Sequence, residues 1–152
     1  MENINFKKTK IAIIGCGRIS KKHILAIISE YKRCELVAIC DSKVERMNDI
    51  YNFYKSQLKE KNFIFTDLKK YNCYEELINS ITTNKIYIDL IVLATPSGMH
   101  PYQTILAAKA GINICTEKPM ALNQIDAEKM IRVCKKANVK LFVVKQNRLN
   151  PT

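Results

Sequence analysis

Long hydrophobic runs are missing from this chain. No stretch approaches the ~18 consecutive apolar residues that a membrane-spanning helix needs. The opening residues, Met1-Glu2-Asn3-Ile4-Asn5-Phe6-Lys7-Lys8, hold no apolar core of signal-peptide length. These absences point to a cytoplasmic protein with no membrane partner. Histidine is scarce, at two residues, and none of the six cysteines forms a Cys-x-x-Cys pair. Zinc-type ligand spacing is therefore lacking, and no metal is expected. The thiols of Cys16, Cys34, Cys40, Cys73, Cys115 and Cys134 read as small hydrophobes in a reducing compartment. Repeats of solenoid type and low-complexity segments are absent too. Acidic residues are few, 14 against 25 lysines and arginines, which leaves a net charge of +11. The lysines are scattered in pairs (Lys7-Lys8, Lys21-Lys22, Lys69-Lys70, Lys135-Lys136) without aromatic interleaving. That is the pattern of a solvated surface, not of a nucleic-acid face, so no nucleic-acid partner is expected. The surplus charge would still help attract an anionic cofactor.

What is present centres on one stretch, Ile11-Ala12-Ile13-Ile14-Gly15-Cys16-Gly17-Arg18-Ile19-Ser20. An apolar run ends in a Gly-x-Gly turn, and an amphipathic run follows at once. This is the shape of a strand that feeds a helix through a phosphate-binding loop. Gly15 permits the tight turn. Gly17 lacks a Cβ, so a pyrophosphate can approach the backbone. The helix starting near Arg18 would aim its free N–H groups and positive dipole end at that pyrophosphate. Ser20 stands where the strict pattern has a third small residue, Gly or Ala. Glu35 to Cys40 is a second apolar run. It ends at Asp41, 21 residues after Ser20, near the place of the carboxylate that binds the adenosine ribose hydroxyls. An ordinary βαβ unit with a solvated Asp would look similar, but motif and context together favour a dinucleotide site.

At 152 residues and 47% hydrophobic, the chain reads as one globular domain. Val44, Met47, Ile50, Tyr51 and Tyr54 mark the buried face of a helix from Ser42 to about Lys59. Asn62 to Thr66 reads as a third strand, and Tyr71 to about Ser80 as a helix. Asp89 to Ala94 is a fourth strand, nearly all apolar, as expected when both sheet faces are covered. Pro101 opens a helix that ends at Gly111. Ile112 to Cys115 is a fifth strand. Asn123 caps a helix with Ala127, Met130, Ile131 and Cys134 inward, ending at Asn138. Val139 to Val144 is a sixth strand. Six strands alternating with helices predict the α/β class, a doubly wound parallel six-stranded sheet. Ligands of such sheets bind outside the carboxyl ends of the strands. The chemically unusual residues lie there: the Gly turn, Asp41, Thr95-Pro96-Ser97, Glu117-Lys118-Pro119 and Gln146-Asn147-Arg148.

Lys118, at a strand end, could stabilise an alkoxide or shuttle its proton if partial burial lowers its pKa. Its alternative is a surface salt bridge with Glu117, and Glu117 could instead bind cofactor. Thr95 and Ser97 either line the pyrophosphate and ribose or shape a turn around Pro96. His100 either hydrogen-bonds at a helix start or reaches the site as a base. His23, on the buried side of the first helix, reads as a satisfied packing histidine.

Gly-Cys-Gly-Arg-Ile-Ser, Ala-Thr-Pro-Ser-Gly-Met-His and Glu-Lys-Pro-Met-Ala, in that order at these strand ends, resemble the Gfo/Idh/MocA family of sugar and polyol dehydrogenases. The resemblance covers essentially the whole chain. The closing Val-Val-Lys-Gln-Asn-Arg-Leu-Asn-Pro looks like the branch that oxidises nucleotide-linked amino sugars for surface polysaccharides. The resemblance implies a Rossmann domain over 1–152, with Lys118 as the active-site lysine before a cis proline bond. It implies that Gly15, Cys16, Gly17, Arg18, Ile19, Asp41, Thr95, Pro96, Ser97, His100, Glu117, Lys118 and Gln146 surround NAD, with Arg148 near the nicotinamide or domain junction. It also implies a second α/β domain, absent from this chain, that supplies most sugar contacts and a homo-oligomer interface. The isolated domain would then bind cofactor without turnover. A non-catalytic NAD-sensing module is the competing expectation. The carboxylate of Asp41 repels a 2′-phosphate and so favours NAD over NADP, although Ser42 and Lys43 beside it could accommodate NADP.

Overall fold

The computed structural model describes residues 7–145. Its strands are β1 (Thr9–Ile14), β2 (Cys34–Cys40), β3 (Lys69–Tyr71), β4 (Leu90–Leu93), β5 (Asn113–Thr116) and β6 (Leu141–Val143). Its helices are α1 (Ser20–Ser29), α2 (Val44–Glu60), α3 (Tyr74–Thr82), α4 (His100–Lys109) and α5 (Gln124–Lys136), with a 3-10 turn at Ser97–Met99. The strands form one sheet in the order β3-β2-β1-β4-β5-β6, every neighbouring pair parallel. Strand order reverses between β1 and β4, so a crevice opens at their carboxyl ends.

Alternation along the strands builds two cores. Ile11 and Ile13 of β1 face one side, with Leu36 and Ile39 of β2. Ile24, Ile27 and Ile28 of α1 and Met47, Ile50, Tyr54 and Leu58 of α2 cover them. Ala12 and Ile14 face the other side, with Ile91, Leu93 and Ile114, beneath Tyr74, Leu77 and Ile81 of α3, Ala107 and Ala108 of α4 and Cys134 of α5. Burying one such isoleucine contributes about 1.5–3 kcal/mol. Asn62, Asn84 and Asn138, at φ of 54–57°, follow the ends of α2, α3 and α5, because a short polar side chain tolerates the left-handed turn that ends a helix. Asn123 caps α5, its side chain accepting the Asp126 N–H at 2.8 Å.

The expected third strand at Asn62–Thr66 is not a strand; the pairing partner of β2 is Lys69–Tyr71. Phe63 stacks on Tyr31 at 4.1 Å between ring centroids, and Phe65 meets Tyr51 edge-on at 5.5 Å. These rings strap the loop over α1 and α2, and their apolar character serves that packing, not a sheet face. The true edge strand carries two exposed lysines, which suit an edge that must not pair with another chain. Consequently the third helix starts at Tyr74, not Tyr71. Val44 and Ile131, expected inward, are exposed instead.

Candidate functional site

A cavity of about 430 Å³ opens at the carboxyl ends of β1, β2 and β4. Gly15, Gly17, Asp41, Thr95 and Pro96, all expected from the sequence, line it. Gly15 turns the chain at φ +91° as it leaves β1. A Cβ on Gly15 would stand 2.7 Å from the Ala94 carbonyl oxygen, so this glycine also lets the turn pack on the end of β4. A Cβ on Gly17 would meet nothing within 4 Å. That open space beside bare backbone fits a phosphate. α1 follows with no side-chain cap and no acid in its first turn, which leaves its positive end free for an anion. Ser20, in the third position of the loop, is fully buried and donates its hydroxyl to the Gly17 carbonyl.

Asp41 ties the loop to β2. Its Oδ2 accepts the Cys16 N–H and its Oδ1 the Lys43 N–H, both at 2.8 Å. Each carboxylate oxygen keeps a second lone pair, enough to accept two ribose hydroxyls. Bare backbone beside open space and a fixed carboxylate are the groups that a dinucleotide's pyrophosphate and ribose would need.

The other expected residues are placed differently. The Cys16 side chain is buried away from the cavity, and only its backbone N–H serves the site. Arg18 and Ile19 are exposed in the turn before α1, and neither they nor Ser97 line the cavity. His100 is fully buried, its Nε2 2.9 Å from the Thr95 carbonyl and its Nδ1 3.2 Å from the Pro119 carbonyl. Each ring nitrogen faces a backbone carbonyl, of which an imidazole with a single N–H can donate to one, so His100 packs between the turns after β4 and β5 instead of reaching the cavity as a base. Glu117 pairs with His23, Oε1 to Nε2 at 2.8 Å, and its Oε2 takes the Lys118 backbone N–H at 3.3 Å. Glu117 therefore does not pair with the Lys118 ammonium among the described residues, and His23 is satisfied by a carboxylate. Lys118 itself is exposed and does not line the cavity. The Lys118–Pro119 peptide is cis. Gln146 and Arg148 lie outside the described residues.

Sequence reasoning missed one whole wall of the cavity: Arg46, Asn72, Cys73, Tyr74, Glu75, Tyr102 and Gln103. Gln103 is almost fully buried. Its Oε1 accepts the Thr95 hydroxyl at 2.6 Å, and its carbonyl accepts the Tyr74 hydroxyl at 2.8 Å. The available signal was a Gln-Thr pair interrupting the small apolar residues of α4. Two buried thiols beside the site, Cys16 and Cys40, hold their protons at neutral pH. Burial, aided by the nearby Asp41 charge, pushes Cys16 up to about 12, and burial pushes Cys40 to about 12. Tyr54 is likewise raised to about 12 by burial. Unfolded thiols ionise from about pH 8.5 upward, whereas the folded chain keeps these protons. The folded state therefore binds more protons between about pH 9 and 12, and stability falls as pH rises through that window. The urea midpoint should decline steadily above about pH 9; a midpoint that stays constant there would contradict the burial of these groups.

The sequence profile of the Gfo/Idh/MocA oxidoreductase family, NAD-binding Rossmann fold, matches residues 9–145. The chain belongs to this family and is an NAD-binding Rossmann domain. It is similar to the WlbA dehydrogenase of Bordetella pertussis, solved with NADH and UDP-GlcNAcA. The two share 38% identity over 95% of this chain and 39% of that one, with a TM-score of 0.77. Among curated proteins it is 31% identical to the myo-inositol 2-dehydrogenase of Thermotoga maritima, over 88% of this chain and 35% of that protein. It is 28% identical to the D-apiose dehydrogenase of Paraburkholderia graminis, over 95% of this chain and 34% of that protein. The chain thus spans about a third of the length of the curated relatives it matches. No helix among the described residues is long and apolar enough to cross a membrane.

Proposed function

We propose that this chain is the cofactor half of a dehydrogenase that oxidises a ring hydroxyl of a sugar, with a nucleotide-linked sugar as substrate. The observation that carries the reading is one of placement. The Gly15–Gly17 turn, Asp41 and the Glu117-Lys118-Pro119 turn all stand at the same end of one parallel sheet. NAD, when bound, supplies the hydride acceptor. Gly17 and the start of α1 hold its pyrophosphate, and Asp41 accepts the ribose hydroxyls. Lys118, just past the end of β5, would hold or move the proton of the hydroxyl being oxidised. His23 and His100 position that lysine, the first through Glu117 and the second through the Pro119 carbonyl. The likeness to a dehydrogenase solved with UDP-GlcNAcA supports the nucleotide-sugar choice. A second domain of the whole protein would bind most of the sugar, cover Lys118 and carry a homo-oligomer interface. In that reading residues 1–152 form the NAD-binding domain alone.

The test is calorimetric binding followed by a turnover assay with NAD and UDP-GlcNAcA. The 152 residues should bind NADH saturably and form no NADH from the sugar. A longer chain carrying the substrate domain should form it, at a rate cut about a hundredfold or more by Lys118→Ala. Sugar-dependent NADH from the 152 residues alone would overturn the half-enzyme reading. An unimpaired Lys118→Ala enzyme would overturn the role of the lysine.

A further inference from the structure

The cavity continues past Asp41 into a wall that the pyrophosphate and ribose do not need. If the pyrophosphate lies at Gly17 and the adenosine ribose at Asp41, the adenine base extends along this wall, toward β3. Arg46 of α2, the segment Asn72 to Glu75 and Tyr102 of α4 form it. Most dinucleotide clefts hold adenine by apolar contact, yet this wall carries a fixed acceptor. Glu75 Oε2 receives the Cys73 thiol at 2.7 Å, and its Oε1 receives the Tyr102 hydroxyl at 2.7 Å. Those two donors hold the Glu75 carboxyl below the usual range. They also remove its rotational freedom, so the carboxylate is set before any ligand arrives.

The position of Glu75 in the first turn of α3 explains an acid there, through the helix dipole. It does not explain why a thiol from the loop and a phenol from another helix converge on it. Glu76 supplies the contrast. It shares the same turn and is exposed like Glu75, but it does not line the cavity and receives no hydrogen bond among the described residues. The dipole acts on both; the built arrangement belongs to Glu75 alone.

Resting on the reading of this cavity as the NAD site, we infer that Glu75 is a specificity-determining residue that accepts a hydrogen bond from the exocyclic amino group of adenine. An ionised carboxylate only accepts, and each oxygen has a lone pair left after Cys73 and Tyr102. Adenine offers the amino group at C6 as a donor. Hypoxanthine and guanine carry a carbonyl at that carbon, which would face the carboxylate lone pair to lone pair. The site therefore selects adenine dinucleotides over their hypoxanthine counterparts.

The experiment is a calorimetric titration of the chain with NADH and, separately, with reduced nicotinamide hypoxanthine dinucleotide. The two differ only at that substituent and the adjoining ring proton. NADH should bind at least about tenfold more tightly, the ratio expected from one charge-assisted hydrogen bond at an open site. In Glu75→Gln the ratio should fall to within about twofold, because an amide can accept from an amino group or donate to a carbonyl. Glu76→Gln should leave the ratio unchanged. Equal affinity of the unsubstituted chain for the two dinucleotides would overturn the assignment, as would a full ratio persisting in Glu75→Gln. Absence of saturable NADH binding would overturn it together with the cofactor reading, and that outcome is distinct from tight binding without discrimination.

Discussion

Replacing Asp41 by alanine should weaken NADH binding by about a hundredfold or more. Two hydrogen bonds from ribose hydroxyls to a charged acceptor contribute about 1.5–3 kcal/mol each, and about 2.7 kcal/mol already equals a hundredfold. The change also releases the Cys16 N–H that Asp41 holds at 2.8 Å, so the glycine loop loses its tie to β2. NADPH should respond differently. Its 2′-phosphate is repelled by the carboxylate, and Ser42, Lys43 and Arg46 lie close by, Ser42 and Arg46 in the cavity wall itself. Loss of the acid therefore removes a repulsion as well as an attraction, and the preference for NADH over NADPH should collapse. Asp41→Asn separates the two effects, since it keeps an acceptor while removing the charge. Calorimetric titration of both variants with both nucleotides reads all of this. An Asp41→Ala affinity for NADH within threefold of the original would show that the carboxylate is structural only.

The two loop glycines should fail in opposite ways. Gly15→Ala puts a methyl group 2.7–2.9 Å from three backbone atoms of Ala94 and Thr95, at a φ of +91°. Left-handed backbone costs an L-residue roughly 1–2 kcal/mol, and overpacking adds about 1–3 kcal/mol. A loss near 3 kcal/mol corresponds to a Tm lower by roughly 6–12 °C in a chain of this size. Gly17→Ala meets no atom within 4 Å and has no positive φ to violate, so its Tm should move by less than about 1 °C. Its methyl group stands in the space left for the pyrophosphate, and NADH affinity should drop by about tenfold or more. Thermal melts and NADH titrations of the pair settle it. A stable Gly15→Ala, or a Gly17→Ala that binds NADH normally, would break the division of labour between them.

Much of this protein could be read in order along the chain, because a parallel sheet buried on both faces leaves strong local signals. Apolar runs such as Ile11–Ile14 and Leu90–Leu93 have no polar face to disguise them. Gly15 and Gly111, at φ of +91° and +74°, mark turns that few other residues could make. Asp41 is legible because it ends the apolar run Glu35–Cys40, one helix beyond the glycine turn. The sequence therefore determined the strand-helix alternation, the glycine turn after β1, the acid at the end of β2 and the family.

Tertiary structure decided what depends on side chains distant in sequence. Phe63 and Phe65 look like strand residues until Tyr31 and Tyr51 are brought beside them. Lysines come to lie over rings distant in sequence: Lys8 on Tyr31, Lys70 on Tyr51, Lys21 on Phe53. His23 lies 94 positions from Glu117 and still forms a hydrogen bond with it, and Tyr102 reaches back 27 positions to Glu75. None of these pairings leaves a period or a motif. A hydrogen bond between distant residues depends on how the strands order themselves in the sheet, and that order is set by burial of the whole apolar surface, not by any local stretch.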